Sequence, residues 1–216
     1  MDDLIQTIVI AALPVLFAIT LHEAAHAYAA RFFGDTTAAR LGRISLNPLR
    51  HIDPFGTVLL PIALLLISKG TMAFGWAKPV PVDFERLRHP KRDMRWVAAA
   101  GPMANLVMAL LWAMLQSLVT ALPLNLYTKG LLEMGGIGVV VNLIFMFLNL
   151  IPLPPLDGGR IVVSLLPDNL SRKFARLEPF GFIILLALLF SGVLWKILEP
   201  LIGVAWLFLR FLFPVF

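Results

Sequence analysis

Two histidines and a glutamate, His22, Glu23 and His26, stand in the stretch FAITLHEAAHAYAARFFGD (Phe17–Asp35), directly after a segment with no charge between Leu4 and Leu21. Helix positions four apart share a face, so both imidazoles can hold one zinc ion while Glu23 beside them serves as a general base. The flanks are apolar and rich in alanine, which favours that helix. The bland alternative is a chance match in a core helix. It weakens in lipid, where an ionisable group costs about 2.5–3.5 kcal/mol on an insertion scale. Three such groups in five residues need a purpose, and a bound cation supplies one.

A catalytic zinc takes three protein ligands and keeps one position open for water. His51 and His89 lie in basic polar loops and read as surface residues. Asp157 is the acid that follows a long apolar run, in NLIPLPPLDGGRI. Pro152, Pro154 and Pro155 cannot continue a helix, so the chain opens there, and Gly158 and Gly159 allow close backbone approach. The alternative role for Asp157 is the N-cap of a short following helix. There are no cysteines, which excludes disulfides and thiolate metal sites.

The elements that must position these residues are membrane helices. The chain of 216 residues is 59% apolar and 14% charged, with a mean hydropathy of +0.87. Ordinary soluble domains carry about 25% charged residues. A bilayer core of about 30 Å needs about 20 apolar residues as a helix. The reading is an all-α polytopic membrane protein, one membrane-embedded domain over 1–216. Helices are expected at about 4–33, 94–122, 131–151, 179–196 and 197–215, with a short helix near 156–166. Gly34 is the expected stop of the first. The segment 54–68 either spans or is re-entrant, and a short β element is possible near 74–82. The first apolar run is not expected to be a removable signal peptide, because its flank is Asp2 and Asp3 and no small-residue cleavage site follows.

Charge suggests the orientation. Residues 31–50 hold four Lys or Arg, 69–95 seven and 160–176 four, against one in 123–130. The positive-inside rule puts the first three loops in the cytoplasm and the N-terminus outside. His22 lies about 27 Å along its helix from Leu4, near the same cytoplasmic end as Asp157. One difficulty follows: a single crossing at 54–68 would put the two most basic loops on opposite sides, which favours the re-entrant reading. The net charge of +5 fits basic loops rather than nucleic-acid binding, since no basic helix is interleaved with aromatics.

HEAAHA, GDTTAARLGRISLNPLRHIDPFGT, FGWAKPVPV, AAGPMAN and NLIPLPPLDGGR together resemble the site-2 protease family of intramembrane zinc metalloproteases, in its compact bacterial and archaeal branch. The resemblance covers most of the chain. It implies one zinc ion held by His22, His26 and Asp157, Glu23 as catalytic base, and a three-helix core. It further implies transmembrane protein substrates, cleaved in or near their membrane segments, and a multi-pass plasma-membrane location with the active site toward the cytoplasm. Neither a PDZ-like insert nor a CBS domain is expected in these 216 residues, a departure from larger members of the family.

Three further residues are candidates for active-site support. In KPVPV, Pro79 and Pro81 leave one edge without donors, and the amides of Lys78, Val80 and Val82 point to the other. Such a strand, centred on Val80, could hold an extended substrate by β-addition. A polyproline-like loop is the alternative. The resemblance implies a substrate or active-site contact for Asn149, and similarly for Asn105, with helix–helix glue as the other reading. The rival function is a metal-ion transporter, which needs acids and histidines on several helices. The long helices expected at 94–122 and 131–151 offer only Glu133.

Overall fold

The computed structural model describes residues 2–67 and 75–213, and these form helices joined by irregular chain. Helix α1 spans Asp2–Phe32, and Gly34, with φ 112°, ends it where expected. A single turn, α2 (Thr37–Arg40), follows. The segment Pro54–Leu59 is π-helical and runs into α3 (Leu60–Ile67). Then come α4 (Pro90–Thr120), α5 (Leu126–Asn149), α6 (Asp157–Leu165), α7 (Asp168–Ala175), α8 (Glu178–Phe190) and α9 (Val193–Leu212).

Among the described residues, three helices are long and apolar enough to cross a membrane: Gln6–Phe32 within α1, then α4 and α5. The chain is a polytopic membrane protein. The two helices expected at 179–196 and 197–215 are instead a pair bent by 79° at Ser191–Gly192, which passes the same test only when taken together. Helix α5 starts five residues earlier than the apolar run suggests. Asn125 caps it, accepting from Tyr127 and Thr128, while the Thr128 hydroxyl accepts from the Asn125 amide. Helix α4 likewise starts four residues early. Pro90 occupies its first turn, and the buried Asp93 carboxylate accepts the His89 amide at 2.9 Å.

Cross-helix bonds give the topology. His26 reaches Val97 and Asn105 reaches Ala18, so residue numbers fall along α4 as they rise along α1. Asn105 meets Asn142 and Gln116 meets Leu132, so α5 is antiparallel to α4. The C-terminal end of α1, the N-terminal end of α4 and the C-terminal end of α5 therefore lie together. That end carries the basic loops. Along the middle of the bundle, Ala109, Trp112 and Ala113 of α4 pack with Val139, Leu143 and Met146 of α5 and Leu209 of α9.

The described helical segment Pro54–Ile67 is by itself shorter than a bilayer span. At 1.5 Å per residue its fourteen residues span at most about 21 Å, against about 30 Å of hydrocarbon. Its two flanks also meet. The Trp76 amide donates to Gly56 O at 3.0 Å, and the Thr57 hydroxyl donates to Trp76 O at 2.7 Å. Gly56 and Thr57 thus lie beside Trp76, the proximity that a re-entrant path requires. Ser68 lies outside the described residues.

Candidate metal centre

On α1, His22 and His26 stack one turn apart with ring planes at 84°. Their Nε2 atoms are 3.1 Å apart, and each lies 3.3 Å from Asp157 Oδ2. Among the described residues these three form the one cluster of potential metal donors. Donors on a tetrahedral zinc, at about 2.0–2.1 Å from the ion, lie about 3.3 Å from one another.

Hydrogen bonding on the far side of each ring decides what the near side offers. His26 Nδ1 is 2.8 Å from Val97 O, which only accepts, so this nitrogen carries the proton. His22 Nδ1 is 2.6 Å from Asn105 Oδ1. The Asn105 NH2 is spent on Ala18 O at 3.2 Å and Asn142 Oδ1 at 3.0 Å, so its oxygen faces His22 and His22 Nδ1 also carries a proton. In the neutral imidazoles, the form that binds a metal, both Nε2 atoms then present lone pairs. Asp157 Oδ2 is buried and has no hydrogen-bond partner. With both imidazoles neutral, three acceptors converge here, an arrangement costly to bury unless a cation sits among them. The donor set fits zinc.

Close approach is built by glycine. A Cβ on Gly101 would stand 2.6 Å from His22 Nε2 and closer still to His26 Nε2. Only a residue without a side chain lets α4 face the ligand atoms. The return from α5 to Asp157 relies on the same property. A Cβ on Gly158 would strike Leu150 O, and one on Gly159 the Pro154 nitrogen. Asp157 is the first residue of α6, Leu156 holds the cap position, and no side-chain cap bond forms. The N-cap alternative for Asp157 is thus not what the chain adopts.

Glu23 lies beside the ligands. Its Oε2 accepts the Val80 amide at 2.7 Å. Residues 75–83 carry no strand, and neither does any other described residue, so the expected β element is corrected to an irregular strap. Residue 74 lies outside the described residues. The physical reason is that the Lys78 and Val80 donors on the proline-free edge, and that of Trp76 before them, are spent inside this chain. The Trp76 amide goes to Gly56 O, that of Lys78 to His51 O at 2.9 Å, and that of Val80 to Glu23. The Arg43 guanidinium binds Lys78 O and Pro79 O at 3.1 and 3.3 Å. The Val80 side chain is buried with Ala27 and Ala38. His51, expected at the surface, is fully buried, its Nε2 2.8 Å from Ser45 O.

Asp35 anchors the strap's far end. Its carboxylate accepts the Asp83 amide at 2.8 Å and both the amide and hydroxyl of Thr37. Burial alone would push this carboxyl up; the bonds from Thr37 and Asp83 outweigh it and hold the group below the usual carboxylate range. Asn149 is not joined to the ligand set. It donates to Phe145 O in its own helix at 3.0 Å. Asn142 was not singled out by its sequence, although an amide inside VVVNLIF carries the same signal as Asn105.

A peptidase family M50 model matches residues 115–192. The chain is 39% identical over 192 residues to a Bacillus subtilis (strain 168) protein named "Putative zinc metalloprotease YwhC", with 86% of this chain and 84% of that one aligned. It is 32% identical over 180 residues to "Putative zinc metalloprotease Rip2" of Mycolicibacterium smegmatis, across 83% of this chain and 66% of the relative. The protein of that name in Mycobacterium tuberculosis (strain H37Rv) is 30% identical over 181 residues. No solved structure matches. The chain belongs to peptidase family M50, the site-2 proteases, and is an intramembrane zinc metallopeptidase. Nothing in the comparisons favours the transporter alternative.

Proposed function

We propose that His22, His26 and Asp157 hold one zinc ion per chain and that Glu23 is the general base for hydrolysis of peptide bonds in or near transmembrane segments. The observation that carries this reading is the convergence of two imidazole lone pairs and an unpartnered carboxylate oxygen at 3.1–3.3 Å. Bound there, zinc supplies Lewis acidity, polarising the scissile carbonyl and making water acidic enough to attack near neutral pH.

Glu23 supplies the proton transfers. One turn of helix and one residue of offset put its carboxylate next to the ligands, where it takes a proton from the attacking water and returns it to the leaving amine. The Val80 amide holds Oε2, so Oε1 is the oxygen that takes the proton. Asn105 supports the site through His22. Asn149, one of whose N–H groups is held by Phe145 O, can meet a substrate through its Oδ1 or its second N–H. Because the strap's inward donors are already engaged, Val80 serves substrate binding chiefly by positioning Glu23; β-addition needs those bonds to open first. The substrates are transmembrane proteins. The basic loops at the ligand end favour a site toward the cytoplasm, and the membrane is proposed to be the plasma membrane.

Glu23→Gln separates the roles. The variant should bind one equivalent of zinc while cleavage of a single-span substrate falls by about 10²–10⁴-fold. Unchanged proteolysis would end the assignment of the base.

A further inference from the structure

We propose that Asn142 is a positioning residue of the metal centre, acting through Asn105 to hold His22 with its Nε2 lone pair toward the metal. The inference rests on the zinc reading of His22, His26 and Asp157. Asn142 lies mid-helix in α5, fully buried in a stretch that is otherwise apolar, and it touches no ligand atom directly.

What it supplies is direction. Gly138 O can only accept, and Asn142 Nδ2 donates to it at 2.8 Å. That bond turns Asn142 Oδ1 toward α4, where it accepts from Asn105 Nδ2 at 3.0 Å. Asn105 must then present Oδ1 to His22 Nδ1, at 2.6 Å, and the imidazole proton is confined to Nδ1. A reversed Asn142 would set two oxygens against each other at Gly138. The series Gly138 O, Asn142, Asn105, His22 therefore has one self-consistent orientation, and it ends in a lone pair at the metal. Ala18 O, at 3.2 Å, is a second and longer anchor for Asn105, so the series is reinforced at its middle. Outer groups of this kind fix the tautomer and raise the basicity of ligand histidines. Helix–helix glue needs only that two amides meet; it does not need this polarity.

His26 has no such series, because Val97 O fixes its tautomer in one step. The demand falls on His22 alone, since its partner on α4 is a side-chain amide, whose orientation must itself be fixed, and not a backbone carbonyl.

The test is a zinc-affinity cycle on the full-length protein in nanodiscs, read by competition with a chelator. Asn105→Leu should weaken zinc binding about 10–100-fold. Asn142→Leu should weaken it about tenfold, and the double variant should match Asn105→Leu within about twofold, because both act on one imidazole. Wild-type affinity in Asn142→Leu, or losses that multiply in the double variant, would overturn the proposal. Asn142→Ser removes the amide without added bulk and should repeat the loss. The wild-type protein gives an independent reading: ¹⁵N NMR of the metal-stripped chain should find the His22 proton on Nδ1, and a proton on Nε2 would sink the idea even if both variants failed to fold. Full zinc binding by Asp157→Ala would instead count against the zinc reading itself.

Discussion

The two sides of the site are made of different material. On the metal side, His22 and His26 are oriented by groups on α4, itself packed on α5, and the orienting partners are Val97 O and Asn105. On the base side, Glu23 is held by an irregular strap that is pinned at separated points by Gly56, His51, Arg43 and Asp35. Each imidazole is fixed by long helices whose backbone bonds are internal. The carboxylate is fixed by one amide on a chain segment with no secondary structure of its own. Zinc retention and proton transfer should therefore respond to different mutations.

The largest effect is expected on the metal side. Asp157→Ala should weaken zinc by more than the roughly 10–100-fold that supporting residues cost, and abolish cleavage, as measured by metal analysis beside proteolysis. Gly101→Ala should approach that result without touching a ligand, because its Cβ would meet His22 Nε2 at 2.6 Å. Retained zinc in Gly101→Ala would break the picture of a rigid metal side.

Val80→Pro is the sharper probe of the base side. It deletes the amide that Glu23 accepts, between two existing prolines. A hydrogen bond to a charged group is worth about 1.5–3 kcal/mol, so cleavage should fall by about 10–100-fold while zinc affinity stays put. A fall in zinc affinity would show that the two sides are coupled. Arg43→Ala frees the carbonyls of Lys78 and Pro79 and should do the same to a smaller degree.

The smallest effect concerns acid stability. The Asp35 carboxyl has a lowered pKa in the folded protein, so its contribution is present above the unfolded value and is lost as pH falls through the folded one. Unfolding followed from neutral pH to below pH 4 should show wild type losing that increment in the acid limb. In Asp35→Asn the increment is absent throughout, so the two curves converge at low pH.

Much of the metal side was legible in the chain. His22 and His26 are local to one helix, and Asp157 is marked by prolines and glycines that say where the backbone must open. Asn105 was legible as an amide out of place in an apolar helix, and the same rule applied to Asn142 would have found it. The base side was half legible. Pro79 and Pro81 correctly indicate one edge rich in donors, but nothing local says that Glu23 and His51 O take them, since those partners lie 57 and 27 residues away. The starts of α4 and α5 were missed because their capping signals, at His89–Asp93 and Asn125–Thr128, lie outside the apolar runs. The 79° bend was missed because hydropathy is blind to direction.

The third ligand comes on a later helix than the first two, and this has a consequence in time. Ribosomes add about 5–20 residues per second, so roughly 130 residues separate His26 from Asp157 by some 7–26 seconds of synthesis. During that interval the nascent chain owns a pair of histidines and a glutamate but no complete cage. On the proposed assignment the last ligand arrives only once α4 and α5 have been made, so the cage closes after the helices that frame it exist.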